Sequence, residues 1–185
     1  MRATALAIIL CLTALPAAAD EVTETIQAAL EAYEAGDIAT AKEELDFAAQ
    51  LLSQLKAEGL SEFLPEPFEG WTREEVDTQA AGASLFGGGQ MAAALYAGDE
   101  GDLEIRLMAD SPMVTSMAAV LGNPALMGAM GTVKRVNRQR VVITPDGALQ
   151  ALIDGRVLVQ IEGTAPAEQK LAYFETLDIE GLKTF

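Results

Sequence analysis

The apolar residues follow one repeat in the first part of the chain and a different repeat in the second part. Between Ile26 and Leu55, apolar residues recur every three or four positions, which is the spacing of amphipathic helices. Gly36 and Asp37 interrupt this stretch. Gly36 suits the left-handed end of one helix, and Asp37 suits the N-cap of the next. The pattern therefore predicts a helical hairpin over residues 20–60, with two open roles: packing on the rest of the chain, or oligomerisation.

Beyond Trp71 the period changes to two, which indicates half-buried strands. The alternation is cleanest in residues 102–109, where every second residue is apolar. Asp154-Gly155 is a strong signal for a tight hairpin turn, and Gly87–Gly89 suits a flexible one. The six predicted strands are residues 74–84, 90–97, 102–109, 133–144, 148–154 and 156–163, and a helical stretch follows over residues 165–182.

Residues 111–131 carry no charge and are long enough to cross a bilayer. Pro124 divides them, because it cannot donate a helical hydrogen bond, and Asn123 before it is a suitable N-cap. We therefore expect two short helices that cover the sheet, and no membrane span in the mature chain. The predicted fold class is α+β: an N-terminal helical hairpin, then an antiparallel sheet in βββ-α-βββ-α order with the helices packed on one face. A linker with prolines and aromatics over residues 61–71 leads to an α/β sandwich domain over residues 72–185.

Two stretches resemble known families. The residues Ala29, Tyr33, Gly36, Asp37, Ala41, Leu45 and Ala48 form a pattern that resembles a single tetratricopeptide-type helix pair over residues 26–48. The order of predicted elements over residues 71–182 is similar to that of the Mog1/PsbP-like α/β sandwich proteins. Members of that group differ in function, so the resemblance implies a fold and assigns no site or activity. A lone helix pair likewise provides no solenoid groove.

Residues 1–19 have the pattern of a signal peptide. Arg2 precedes a short apolar run, and Ala17 and Ala19 occupy the two small positions before a cleavage site. We therefore expect cleavage near Ala19 and a periplasmic or secreted protein. Cleavage removes Arg2 and leaves 11 basic against 28 acidic residues, a net charge of −17. Such a charge disfavours nucleic acid and anionic lipid as partners, because both are bound through basic residues.

The residue inventory excludes several kinds of active site. The chain has no histidine, and its one cysteine, Cys11, lies within the predicted signal peptide. Without imidazole or thiol, the mature chain cannot form a Ser-His-Asp or Cys-His nucleophile, an ordinary zinc site or a disulfide. Residues 53–56 match the S-x-x-K pattern of serine acyl enzymes, but the other two motifs of those enzymes are missing. We therefore predict a protein that is not an enzyme and that needs no cofactor.

A cluster of basic residues is the first candidate site. Four of the eleven cations of the mature chain lie within seven positions: Lys134, Arg135, Arg138 and Arg140. They suit contact with an acidic partner, or with an anionic ligand such as a phosphate or a glycan carboxylate. The alternative is a solvated strand face whose cations pair with neighbouring Asp and Glu.

A methionine-rich segment is the second candidate. Met113, Met117, Met127 and Met130 lie in the uncharged segment 112–130. Thioethers bind Cu(I), and a gap lined by flexible methionines suits an apolar small molecule, although methionine also fills irregular cores without any ligand. The leading hypothesis is an exported, non-catalytic protein that binds an unknown partner. The alternative is a periplasmic carrier of an apolar ligand or, less favoured, of Cu(I).

Overall fold

The computed structural model describes residues 17–76 and 89–185. Most of the predicted signal peptide, the turn residues Gly87 and Gly88, and the larger part of the first predicted strand lie outside these ranges. The chain forms two compact units, one ending at Leu52 and the other running from Ser53 to Phe185.

Two helices open the described chain: α1, Ala17–Glu34, and α2, Ile38–Ser61. The break between them follows the local sequence. Gly36 adopts a left-handed φ of 82°, and the Asp37 carboxylate accepts a hydrogen bond of 3.1 Å from the Thr40 backbone N–H. The predicted helix end at Gly36 and the predicted N-cap at Asp37 are confirmed.

Small residues occupy several buried positions of these helices, since Ala29, Ala41 and Ala48 are each at most 5% exposed. Near the end of α2, Leu60 is fully buried. Seven large apolar side chains are instead at least 44% exposed; they are Ile26, Leu30, Tyr33, Ile38, Leu45, Phe47 and Leu52. The helical spacing of the sequence therefore marks an exposed apolar face as well as a buried one.

Within residues 72–76 and 90–162 of the described chain, seven antiparallel strands form one sheet in the order β1-β2-β3-β7-β6-β5-β4. Their bounds are β1 Thr72–Val76, β2 Gln90–Gly98, β3 Gly101–Ala109, β4 Thr132–Val136, β5 Gln139–Ile143, β6 Leu149–Ile153 and β7 Val157–Glu162. The predicted α+β class and the antiparallel sheet are confirmed. Strands β1 and β4 lie at the two edges, whereas β7 lies at the centre.

The predicted strand over residues 133–144 is wrong, because two strands occupy that stretch. Asn137 and Arg138 have φ values of 47° and 65° and form the turn between β4 and β5. The second block therefore has four strands and not three. The turn escaped prediction because its second residue is not the glycine that such turns favour.

Two short helices follow β3: α3, Pro112–Leu121, and α4, Pro124–Met130. The Ser111 hydroxyl caps α3 by accepting from the Val114 N–H, and the Asn123 side chain caps α4 by accepting from the Ala125 N–H. The predicted division of this segment is confirmed. Among the described residues no single helix is long and apolar enough to cross a membrane, although α3 and α4 together pass that test while bent by 98°.

Helices cover both faces of the sheet, so the prediction of helices on one face is wrong. The first face packs on the C-terminal helices α5, Ala167–Thr176, and α6, Ile179–Thr184. The second face packs on α3 and α4. The reason lies in the central strands β3 and β7, where residues 107–109 and 157–159 are buried without alternation. A strand buried on both sides needs a layer on each.

The aromatic residues of the stretch after α2 pack on the C-terminal helices. The Phe68 and Trp71 rings lie 4.2 and 5.5 Å from the Tyr173 ring, centroid to centroid, and Phe63 lies 5.9 Å from Phe185. The Phe68 backbone N–H also donates to the Tyr173 hydroxyl at 3.2 Å. These aromatics therefore act in packing within the unit that begins at Ser53.

Candidate anion-binding site

The four basic candidates lie on one β-hairpin at the edge of the sheet. Strand β4 is the last strand in the sheet order, and its first four residues are exposed. Strand β5 pairs with it, and Asn137 and Arg138 connect the two. Residues 132–143, which comprise β4, the turn and β5, are called the basic hairpin below.

The register of the basic hairpin sorts its cations by face. Arg135 lies directly opposite Arg140, so both side chains project from the same face of the sheet. Helices α3 and α4 cover this face further along β5, at Val142. Lys134 lies opposite Val141 and projects from the other face. Arg138 is at the tip. The structure therefore brings Arg135 and Arg140 together and separates Lys134 from them.

None of these four side chains forms an ion pair or a side-chain hydrogen bond with a described residue. The seven other cations of the described chain are all engaged. Five pair with carboxylates and two donate to backbone carbonyls; they are Lys42, Lys56, Arg106, Arg156, Lys183, Arg73 and Lys170. The interpretation in which the cluster pairs with neighbouring Asp and Glu therefore has no support in the described residues.

A pocket of about 350 Å³ adjoins the tip of the basic hairpin. Its polar side chains are Arg138, Gln139, Arg140 and Asp154. Ala118, Leu121, Gly122, Leu152 and Gly155 complete the lining, which brings in the C-terminal end of α3 and the turn between β6 and β7. The volume lies at the small end of the range for ligand pockets, about 300–1,000 Å³. Two arginines, one aspartate and several apolar residues thus line one pocket.

Both turns beside the pocket have two consecutive residues in the left-handed region. Asp154 and Gly155 have φ values of 49° and 72°, the left-handed pair that Asn-Gly or Asp-Gly favours at the centre of a tight turn. Arg156 completes the three-residue connection, and its backbone N–H donates to the Ile153 carbonyl at 3.0 Å. The predicted tight turn at Asp154-Gly155 is confirmed. Arg138 stands where such a turn favours glycine, and a residue with a side chain costs on the order of 1–3 kcal/mol in that conformation.

The methionine candidates lie together in the apolar layer between the sheet and helices α3 and α4. Met127 is 1% exposed, and Met113, Met117 and Met130 are partly buried and pack against the same cluster. The pocket beside the basic hairpin is lined by none of them. Binding of an apolar molecule or of Cu(I) by these residues stays a prediction.

Three residues of the pocket had no functional signal in the sequence. Asp154 is recognisable there only as part of a turn, while Leu121 and Leu152 are recognisable only as core residues. Strand order brings Leu152 and Asp154 beside the basic hairpin, because β5 and β6 are neighbours in the sheet, whereas Leu121 lines the pocket from the end of α3. In the part of the chain that the structure describes, no group of three or more His, Cys, Asp or Glu residues could hold a metal ion.

No protein-family model matches the chain, and no curated protein or solved structure gives a significant match. The resemblances of residues 26–48 to a tetratricopeptide-type helix pair and of residues 71–182 to the Mog1/PsbP-like sandwiches therefore stay predictions.

Proposed function

We propose that the chain is an exported, non-catalytic binding protein whose basic hairpin holds an anionic group of its partner or ligand. The observation that carries this proposal is a contrast between cations. Seven basic residues of the described chain are engaged by carboxylates or carbonyls, and the four that are free of such partners lie together on one hairpin.

The contrast is informative because the chain is acidic, with a net charge of −16. A cation on such a surface has many carboxylates to pair with. A cluster that stays free keeps its guanidinium groups available to an incoming oxyanion. Arginine suits this role, because its planar fork binds carboxylate or phosphate through two parallel hydrogen bonds.

Export and the absence of catalysis rest on the sequence. Residues 1–19 support export through their charged start, apolar run and small-residue end. The lack of histidine, and of any cysteine after Cys11, supports a binding role over nucleophilic or zinc-dependent chemistry.

The experiment is a titration of the purified protein with three oxyanion probes: poly-L-glutamate for an acidic protein surface, inorganic phosphate, and an oligogalacturonate for a glycan carboxylate. We expect at least one probe to bind. Arg135→Gln and Arg140→Gln should each weaken binding about tenfold, since a charge-assisted hydrogen bond is worth about 1.5–3 kcal/mol.

Lys42→Gln is the matched control. It removes one positive charge from an exposed position on α2 where the lysine already pairs with Asp46. We expect it to leave the affinity unchanged. Failure of all three probes to bind the unmodified protein would overturn the proposal, and so would equal weakening by the control. Turnover of a probe would overturn its non-catalytic part.

A further inference from the structure

We infer that the pocket beside the basic hairpin takes a small zwitterion with an apolar side chain, such as a free amino acid or a short apolar peptide. This inference rests on the proposed function for the anionic end of the ligand. It adds that the pocket also binds a cationic end and an apolar body of the ligand, each through a different part of its lining.

Residues of both charges line the pocket. Arg138 and Arg140 line it together with Asp154, yet the Asp154 carboxylate forms no ion pair with either guanidinium. Because these opposite charges are not paired with each other, each is available to a ligand group of the opposite sign. A ligand that carries a carboxylate and an ammonium group matches both charges.

The end of α3 adds partial negative charge to that of Asp154. Leu121 and Gly122, at the C-terminal end of this ten-residue helix, line the pocket. A helix C-terminus carries partial negative charge from its unsatisfied carbonyls and favours a cation. Asp154 and the α3 terminus therefore both favour the ammonium end of a ligand.

Apolar residues line another part of the pocket. Ala118, Leu121 and Leu152 face the same pocket as the charged groups. An inorganic anion or a sugar acid would leave these residues in water, whereas an aliphatic side chain would cover them and gain free energy from the buried area. The lining therefore favours a zwitterion with an apolar body over a plain oxyanion.

The backbone at Arg138 is an independent sign that its side chain has a use. Its φ of 65° is a conformation that a glycine would adopt without strain. The fold alone would be served better by Asn-Gly than by Asn-Arg at residues 137–138. A strained residue of this kind, on the rim of a pocket, points to a function for its side chain.

Two substitutions test the inference and are expected to leave the fold intact. Arg138→Gly creates the preferred Asn-Gly turn and removes one guanidinium from the pocket. Asp154→Asn also creates an Asn-Gly turn, at residues 154–155, and removes the carboxylate charge. We expect both variants to be at least as stable as the parent, so a loss of binding in either is not a loss of folding.

The measurement is calorimetric titration with L-leucine, the dipeptide Leu-Leu, N-acetyl-L-leucine and L-leucinamide. We expect leucine or Leu-Leu to bind, and the tighter of the two identifies the size of the ligand. N-acetyl-L-leucine, which lacks the ammonium group, and L-leucinamide, which lacks the carboxylate, should bind at least tenfold more weakly. Arg138→Gly and Asp154→Asn should each weaken the zwitterion about tenfold, while Lys183→Gln, on α6, should not.

The outcomes separate this inference from the proposed function. Equal binding of leucine and N-acetyl-L-leucine, with no effect of Asp154→Asn, would overturn the zwitterion and leave anion binding standing. Binding of an oxyanion probe with no binding of leucine or Leu-Leu would do the same. If neither zwitterions nor oxyanion probes bind, both proposals fail.

Discussion

Arg135 and Arg140 face each other directly across the β4–β5 ladder. Like charges placed opposite one another on neighbouring strands repel and destabilise the pair. Neither guanidinium forms an ion pair with a described carboxylate that would offset the repulsion. The free protein therefore carries an electrostatic cost at this position, and a bound oxyanion would remove it.

Removal of one of the two charges should stabilise the free protein. For Arg135→Thr we expect a gain of about 0.2–1 kcal/mol in the free energy of unfolding, since threonine suits a strand and the opposed charges are gone. Urea denaturation at low ionic strength measures the gain. It should shrink as salt is added, because salt screens exposed charges.

Lys134→Thr is the control for this prediction. It removes the same charge from the next position of the same strand, where the partner across the ladder is the buried Val141. We expect a smaller gain, because only the strand preference of threonine contributes there. A gain as large as that of Arg135→Thr would show that this preference, and not the Arg135–Arg140 pair, is responsible.

Lys170 is a buried cation with a structural role. Its side chain is almost fully buried, and its Nζ donates to the Gly147 and Gly163 carbonyl oxygens at 2.8 Å each. Lys170→Met should cost about 1–3 kcal/mol, because the two carbonyls lose their donor. Thermal or urea unfolding of the variant measures the loss. An unchanged stability would mean that the backbone at Gly147 and Gly163 does not depend on this lysine.

The same lysine makes stability depend on pH. Burial lowers the pKa of the Lys170 ammonium below its ordinary value. Between the lowered and the ordinary pKa the unfolded chain binds more protons than the folded chain, so the free energy of unfolding rises with pH in that window. Relative to Lys170→Met, the parent should gain stability as pH rises into the alkaline range. A constant difference across that range would contradict the lowered pKa.

The Asp110 carboxylate makes the stability of the fold depend on pH in the acid range. A hydrogen bond of 2.9 Å from the Lys56 ammonium lowers the pKa of its carboxyl, with Arg156 at 3.9 Å adding to the effect. This stabilisation is present above the ordinary pKa of an aspartate and is lost as pH falls through the lowered value.

The test of this pair is Asp110→Asn, which keeps a side chain that tolerates the left-handed φ of 51° found there. At neutral pH the variant should lose no more than about 1 kcal/mol, since the pair is exposed. In acid the two proteins should converge in urea midpoint. A loss that persists in strong acid would point to the backbone and not to the charge.

The helices α1 and α2 should be sensitive to changes on their buried face and insensitive to changes on their exposed face. Ala29→Leu inserts bulk at a position that is 3% exposed and should destabilise them by about 1–3 kcal/mol. Leu30→Gln changes a side chain that is 49% exposed and should stay within about 0.5 kcal/mol of the parent. Amide hydrogen exchange over residues 22–48 measures both. Strong loss of protection in Leu30→Gln would show that the outer apolar face is covered in solution.

The sequence predicted best where structure is decided locally. The left-handed Gly36, the caps at Asp37 and Asn123, and the Asp154-Gly155 turn depend on a few adjacent residues, and the structure confirms them. Such signals involve a hydrogen bond or a backbone angle within four positions, so the residue types alone reveal them.

It predicted less well where neighbours in space decide the outcome. The turn at Asn137 and Arg138 lacks the glycine that would have marked it, so two strands were predicted as one. Burial of β3 and β7 on both faces depends on their central place in the sheet, which no local pattern reveals. The basic cluster was visible in the sequence, whereas the absence of ion pairs with described residues and the pocket shared with Asp154 are visible only in the structure.

The most direct measurement of anion binding by the basic hairpin is the set of backbone amide chemical shifts during titration of labelled protein. The probes are poly-L-glutamate, phosphate and oligogalacturonate. For at least one probe we predict saturable shifts in residues 134–140, extending to Asp154 and Gly155, and in Arg140→Gln we predict saturation only at about tenfold higher probe concentration. Shifts that saturate elsewhere and are unchanged in Arg140→Gln, or no saturable shift with any probe, would contradict a binding role for this hairpin.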